Sequence, residues 1–115
     1  MRNNQEESFV RLTHILKALN AIEEYTMGIQ EDEFASKEML FDAVLLQFII
    51  IGEAIMHVEK EKLEKYDYPW FKVRAFRNFI AHEYFDINPR AVWKIISQDV
   101  PELKTMVEKI ILNAF

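Results

Sequence analysis

The chain has 115 residues, half of them hydrophobic and 29% charged, with a net charge of −5. That length suits one domain with one sizeable core, and the composition excludes a disordered chain. Zero cysteines exclude disulfides, zinc–thiolate sites and thiol nucleophiles.

The N-terminal "MRNNQEESF" lacks the apolar stretch of a signal peptide, so a cytoplasmic chain is expected. From Ser8 to Met27 the residues Leu12, Ile15, Leu16, Leu19 and Ile22 recur at intervals of three and four, which predicts a first helix. Asn3 and Asn4 are its candidate N-caps, and Gly28 is placed to end it. Ser36 is the expected N-cap of a long second helix through "MLFDAVLLQFIIIGEAIMHVEK", fraying into "EKLEKY". Its longest apolar run, Ala43 to Gly52, is broken by Gln47 and followed by Glu53. A membrane span needs about 20 apolar residues, so this reads as a core helix. Gly52 costs about 1 kcal/mol inside a helix, which implies that another helix passes close to the backbone there.

Pro69 opens a third helix carrying Trp70, Val73, Phe76, Arg77, Ile80 and Tyr84. Asn88 and Pro89 open a fourth, "RAVWKIISQ". Pro101 is expected to open a fifth, with Leu103, Met106, Val107, Ile110 and Ile111 on one face. The fold class is all-α, a bundle of four to five helices forming a single domain over residues 1–115.

Charge is uneven along the chain. Between Phe71 and Lys94 five cations (Lys72, Arg74, Arg77, Arg90, Lys94) face two anions (Glu83, Asp86), a net of +3, which leaves −8 elsewhere. An acidic protein that binds a polyanion must gather its cations locally, so Lys72, Arg74, Arg90 and Lys94 are candidate phosphate contacts. A solvated, accidentally lopsided face is the alternative.

Inside this window lies "RNFIAHEY", residues 77–84. No Glu-x-x-His pair suggests a dimetal site; Glu53 and His57, four apart, read as a local helix pair, and His14 beside the first apolar stripe reads as structural. No glycine-rich phosphate loop is present, which argues against an ATPase or kinase. What remains is proton transfer by His82 and anion stabilisation by Arg77, the needs of metal-independent phosphodiester cleavage in RNA. On one helix, however, Arg77 and Tyr84 lie about 20° apart while His82 lies about 140° from Arg77. Arginine's reach, a helix that loosens after Ala81, or a second subunit across a two-fold axis could each reunite them. The plain alternative has Arg77 paired with a carboxylate while His82 and Tyr84 pack at an interface.

The spacing Arg-x4-His-x-Tyr, preceded by "PWFKVRAF" and followed by "FDINPRAVWKIISQDVPELK", resembles the HepT branch of the HEPN superfamily. The stretch "FDAVLLQFIIIGEAI" is similar to that family's second conserved block, although Gln47 stands near a position where the family often has arginine. The resemblance implies a HEPN bundle and a homodimeric toxin ribonuclease that needs no cofactor. Arg77 and His82 would be its catalytic pair and Asn78 a supporting residue. Tyr84 would receive AMP from a partner antitoxin, an MNT-domain nucleotidyltransferase. The other function compatible with it is a catalytically inactive subunit that binds a nucleotide or presents a substrate to that nucleotidyltransferase.

Overall fold

A computed structural model describes residues 3–115. Its helices are α1 (Asn4–Thr26), α2 (Glu31–Ser36), α3 (Glu38–Ile55), α4 (Lys60–Glu64), α5 (Trp70–Glu83) and α6 (Pro89–Asn113), with a 3₁₀ turn, Tyr84–Asp86, between the last two. No strand is present among the described residues.

The amphipathic patterns decide which faces meet. Leu12, Ile15, Leu19 and Ile22 of α1 are fully buried against Val44, Leu45, Phe48 and Ile51 of α3 and a stripe of α6 that runs from Val92 through Ile96, Val100 and Leu103 to Ile110. Helix α1 packs against both α3 and α6, while α5 packs against α3. The short α2 wedges Phe34 against Trp93 and Phe41. The order α5–α3–α1–α6 leaves α5 at one edge, where among the described residues it fully buries only Ile80.

Local signals set several boundaries as expected. Asn3 caps α1 by accepting the Glu6 amide at 2.8 Å, and Gly28 ends it with φ +73°, a conformation that strains other side chains. Asn88 accepts the Arg90 amide at 2.9 Å, ahead of Pro89.

Three expectations are corrected by tertiary structure. Ser36 ends α2, its hydroxyl donating back to the Glu33 carbonyl at 3.0 Å, and α3 starts without a side-chain cap. The long second helix stops at Ile55, because Val58 and Leu63 both turn into the core and the Ser8 hydroxyl, buried in α1, captures the Glu59 amide at 2.9 Å. Pro101 opens no fifth helix; it lies inside the continuous α6. A proline inside a helix costs about 3 kcal/mol, but Pro101 and Ser97, whose carbonyl loses its amide donor, both face solvent. Burial of Val100, Leu103 and Val107 on the other face holds the helix through the proline.

The expectation for Gly52 holds in detail. A Cβ built on Gly52 would lie 2.2 Å from the Cβ of Arg77 and 3.4 Å from the Val73 carbonyl. The α3 backbone therefore touches α5 at its motif arginine. Gly52→Ala should destabilise the fold by about 1–3 kcal/mol in chemical denaturation, since overpacking outweighs the helix-propensity gain of about 1 kcal/mol. A rise in stability would show that α5 yields freely at this contact.

Candidate active site

Close approach at Gly52 turns the Arg77 stem into packing and leaves its guanidinium beside the next residue of α3. Nη2 of Arg77 donates to Oε1 of Glu53, and Nη1 donates to Oδ1 of Asn78 at 3.1 Å. Among the described residues Nε is buried without a partner. The guanidinium is thus aimed by one carboxylate and one amide. Glu53 turns to Arg77 and not to His57, which lies exposed beyond the end of α3. His14 is likewise exposed on α1, so the structural reading of that histidine is corrected.

Seven residues on, the chain makes its second contact with α3. The α-helical hydrogen-bonding pattern ends at Glu83, and the Tyr84 hydroxyl in the 3₁₀ turn donates to Oδ1 of Asp42 at 2.5 Å. Asp42 and Glu53 lie eleven residues apart on α3, about 20° in projection and about 16 Å along the axis. Two carboxylates on one stripe thus hold the two ends of the motif, and Tyr84 reaches Asp42 instead of sharing a site with Arg77. This hydrogen bond, with partial desolvation and the charges of Asp42 and Glu38, raises the Tyr84 phenol above the ordinary tyrosine range.

His82 remains helical, so loosening after Ala81 does not bring it to Arg77; the helix changes character only at Tyr84. The imidazole is exposed on the outer face of α5. There Arg74, Asn78 and His82 follow at intervals of four, each step turning by about 40°, flanked by Phe71 and Phe79, which are 72% and 46% exposed. Phe85, just past the motif, is 95% exposed. An outer face that pairs aromatic rings with an imidazole is unusual for a helix that meets only water.

The other candidate cations divide. Lys72 and Arg74 are exposed on α5 and enter no ion pair among the described residues. Arg90 is held by Glu31 at 3.0 Å and Asp32 at 2.8 Å, and Lys94 shares its shallow depression at the α2–α6 junction. That pair lies on α6, whereas Lys72 and Arg74 lie on α5. Gln47 donates weakly to the Tyr25 hydroxyl at 3.5 Å and contacts neither Arg77 nor Tyr84. No three of the described His, Asp and Glu side chains converge as a metal site, and no described helix is long and apolar enough to cross a membrane.

The site partners that sequence reading missed are Glu53 and Asp42. Both carried a signal: they are carboxylates inside an otherwise apolar helix, and Glu53 directly follows the glycine of close approach.

An all-α bundle with an Arg-x4-His-x-Tyr sequence on one helix agrees with a HEPN-type ribonuclease. Residues 15–110 match the family model described as "Ribonuclease HepT-like", and the chain belongs to that family. Similar proteins include a gamma-glutamylcyclotransferase and provisionally named RNase of Methanocaldococcus jannaschii, 37% identical over 102 residues that make up 88% of this chain and 46% of that protein. A provisionally named RNase of Caldanaerobacter subterraneus is 35% identical over 101 residues, 87% of this chain and 90% of the relative. "Probable ribonuclease HepT" of Thermococcus cleftensis is 32% identical over 100 residues, 86% and 91% of the two chains. The chain thus spans about half of the first relative and nine-tenths of the other two. No solved structure matches.

A phenol whose folded pKa is raised contributes stability that is complete below its unfolded value near 10 and is lost as pH rises through the folded value. Tyrosinate absorbance should therefore show Tyr84 ionising later than a free tyrosine, and Asp42→Asn should bring it back toward the ordinary range. An unchanged titration in Asp42→Asn would remove Asp42 as the cause.

Proposed function

We propose that the chain is the toxin of a toxin–antitoxin pair, a metal-independent endoribonuclease that acts as a two-fold homodimer and is neutralised by AMP transfer to Tyr84 from a nucleotidyltransferase antitoxin. The observation that carries this reading is the division of the motif. Arg77 is fixed on the inner side of α5 by Gly52 and Glu53, while His82 stands exposed on the outer side between phenylalanines. Ribonuclease names among the relatives support RNA as the substrate.

In this reading the outer faces of two α5 helices meet, and the cleft between them receives the RNA backbone. His82 accepts the proton of the 2′-hydroxyl as that oxygen attacks the adjacent phosphorus. The P–O5′ bond breaks, the 5′ oxygen takes up a proton from imidazolium, and a 2′,3′-cyclic phosphate remains. Arg77 stabilises the charge on the pentacoordinate phosphorus, and Asn78 orients its guanidinium through the hydrogen bond to Nη1. Arg74, on the His82 side of α5, and Lys72 contact flanking phosphates.

Control works through Tyr84 and Asp42. In AMP transfer the phenolic oxygen bonds to the α-phosphorus of ATP, pyrophosphate leaves, and the phenolic proton has Asp42 as its nearest acceptor. The modified oxygen no longer donates to Asp42, and the new phosphodiester anion faces both Asp42 and Glu38. Repulsion then releases the end of the motif helix from α3 while the nucleotide fills the cleft. One observation favours a second reading: the guanidinium is already engaged by Glu53, as it would be in an inactive subunit that presents substrate to a nucleotidyltransferase.

RNA cleavage assays separate the two readings. Activity should persist in EDTA and yield 2′,3′-cyclic phosphate ends, and His82→Ala or Arg77→Ala should lower the rate by about 10²–10⁴-fold with the fold intact by circular dichroism. Termini bearing 3′-hydroxyls, or activity restored only by magnesium, would overturn the mechanism. After co-expression with the cognate nucleotidyltransferase, peptide mapping should find AMP on Tyr84 and not on Tyr25, Tyr66 or Tyr68, and Tyr84→Phe should escape neutralisation by modification. AMP on another tyrosine would refute this role of Tyr84.

A further inference from the structure

Helix α5 leans on α3 and leaves a gap toward α6. The gap is a recess of about 470 Å³, floored by Phe48 and Ile51 of α3 and walled by Val73 and Phe76 of α5 and by Ile95 and Leu103 of α6. Side chains line this space without filling it, and its volume falls within the range of small-molecule sites, about 300–1,000 Å³.

The mouth has a different chemistry from the walls. Asp99 and Glu102, three apart on α6, stand on one side, Lys72 on the other, and Tyr68 closes the rim beside Pro69. Among the described residues none of these three charges enters an ion pair, and the Tyr68 hydroxyl makes no hydrogen bond. Burial pushes the Tyr68 phenol up to about 12, and the charges of Glu102 and Asp99 add to it in that order. The charges of both carboxylates therefore reach the hydroxyl.

The geometry points to a binding site for a small organic cation, an apolar or aromatic body carrying a protonated amine. Its body fills the recess against Phe48 and Phe76, replacing water on apolar walls. Its ammonium sits between Asp99 and Glu102, which otherwise lie side by side unneutralised, and donates to the free Tyr68 hydroxyl. An organic anion of the same shape meets two carboxylates at the entrance, and a neutral analogue gains only the walls. Lys72, exposed at the end of a flexible stem, swings outward. The site lies behind the motif: Val73 and Phe76, which form its α5 wall, precede Arg77 by one turn and by one residue, so an occupant braces α5 from the side opposite its exposed phenylalanines.

Three probes of one shape test this: 4-phenylbutylamine, 4-phenylbutanol and 4-phenylbutyrate, titrated into the full chain by calorimetry at low salt. The amine should bind about tenfold or more tightly than the alcohol, and the carboxylate should give no measurable heat. The double variant Asp99→Asn, Glu102→Gln, both at exposed positions, should reduce amine affinity to that of the alcohol, and Ile95→Trp, which fills the recess, should abolish binding of both. Equal affinity for amine and alcohol, no binding of the amine, or amine binding undiminished in the double variant would each overturn the proposal. If the amine fails to bind while Ile95→Trp shifts the sedimentation equilibrium of the chain, the recess belongs to a contact between copies and the proposal also falls.

Discussion

The contact between Gly52 and Arg77 is the constraint on which the geometry of the site depends. With no side chain at position 52, the α3 backbone approaches until a methyl group would overlap the arginine stem. Helix α5 fully buries only Ile80 among the described residues, with Trp70, Val73 and Phe76 partly buried against the core. The close approach fixes both the separation and the rotation of α5. Once Arg77 faces inward, the pitch of the helix makes the His82 side chain leave the backbone about 140° away. The arginine's partner follows too: a guanidinium pressed against α3 at Gly52 meets the carboxylate one residue on.

A half-covered arginine beside a carboxylate is held by more than attraction. The Arg77–Glu53 side chains are 28% and 41% exposed, which is too wet for the pair to contribute much stability by itself. Its value lies in direction, because the guanidinium is planar and its remaining N–H groups then point along a defined line. The same logic separates the cations of the basic segment. Arg90 is neutralised by two carboxylates of α2 and serves to tie that helix to α6, whereas Lys72 and Arg74 are exposed and enter no ion pair among the described residues. The net +3 read from sequence is therefore not one patch. Folding divides it into a structural junction and a smaller set of free charges on α5.

What could be read from the sequence was whatever local physics determines. Helical periodicity located α1, α3, α5 and α6, and Asn3, Gly28 and Asn88 marked ends because a cap acts on its own neighbours. Gly52 announced a close approach, though only the fold reveals that the approaching residue is Arg77. The misses share one cause, long-range contact. Ser8 reaches 51 residues along the chain to stop α3, and the buried stripe of α6 overrides Pro101. At the motif, residue types and the diverging faces were legible, while Glu53 and Asp42 were not, because a lone acid in an apolar helix declares no partner until the neighbouring helix is in place. His14 and His57 show the converse: proximity to an apolar stripe or to a glutamate four residues away did not bury or pair either one.

In the proposed dimer the outer face of α5 is the surface that the two copies would share. Burying a phenylalanine contributes about 1.5–3 kcal/mol, yet Phe71, Phe79 and Phe85 leave much of that unused in the single chain. Closure within one chain is blocked, because the inner side of α5 is already occupied by α3 and bringing His82 inward would expose Ile80 and break the Gly52 contact. A two-fold axis beside α5 removes the conflict. In the proposed dimer it would count each phenylalanine contact twice, leave both Gly52 contacts intact, and bring the two His82 side chains into one cleft lined by both copies of Arg74 and Asn78. The same symmetry turns the short reach between Arg77 and its own histidine into a question of which subunit supplies each group. A mixed dimer of Arg77→Ala and His82→Ala chains then distinguishes the arrangements. If each site draws both residues from one chain, mixing restores no activity; if arginine and histidine come from opposite chains, one of the two sites in each mixed dimer regains its full set, and each mixed dimer cleaves RNA at about half the wild-type rate.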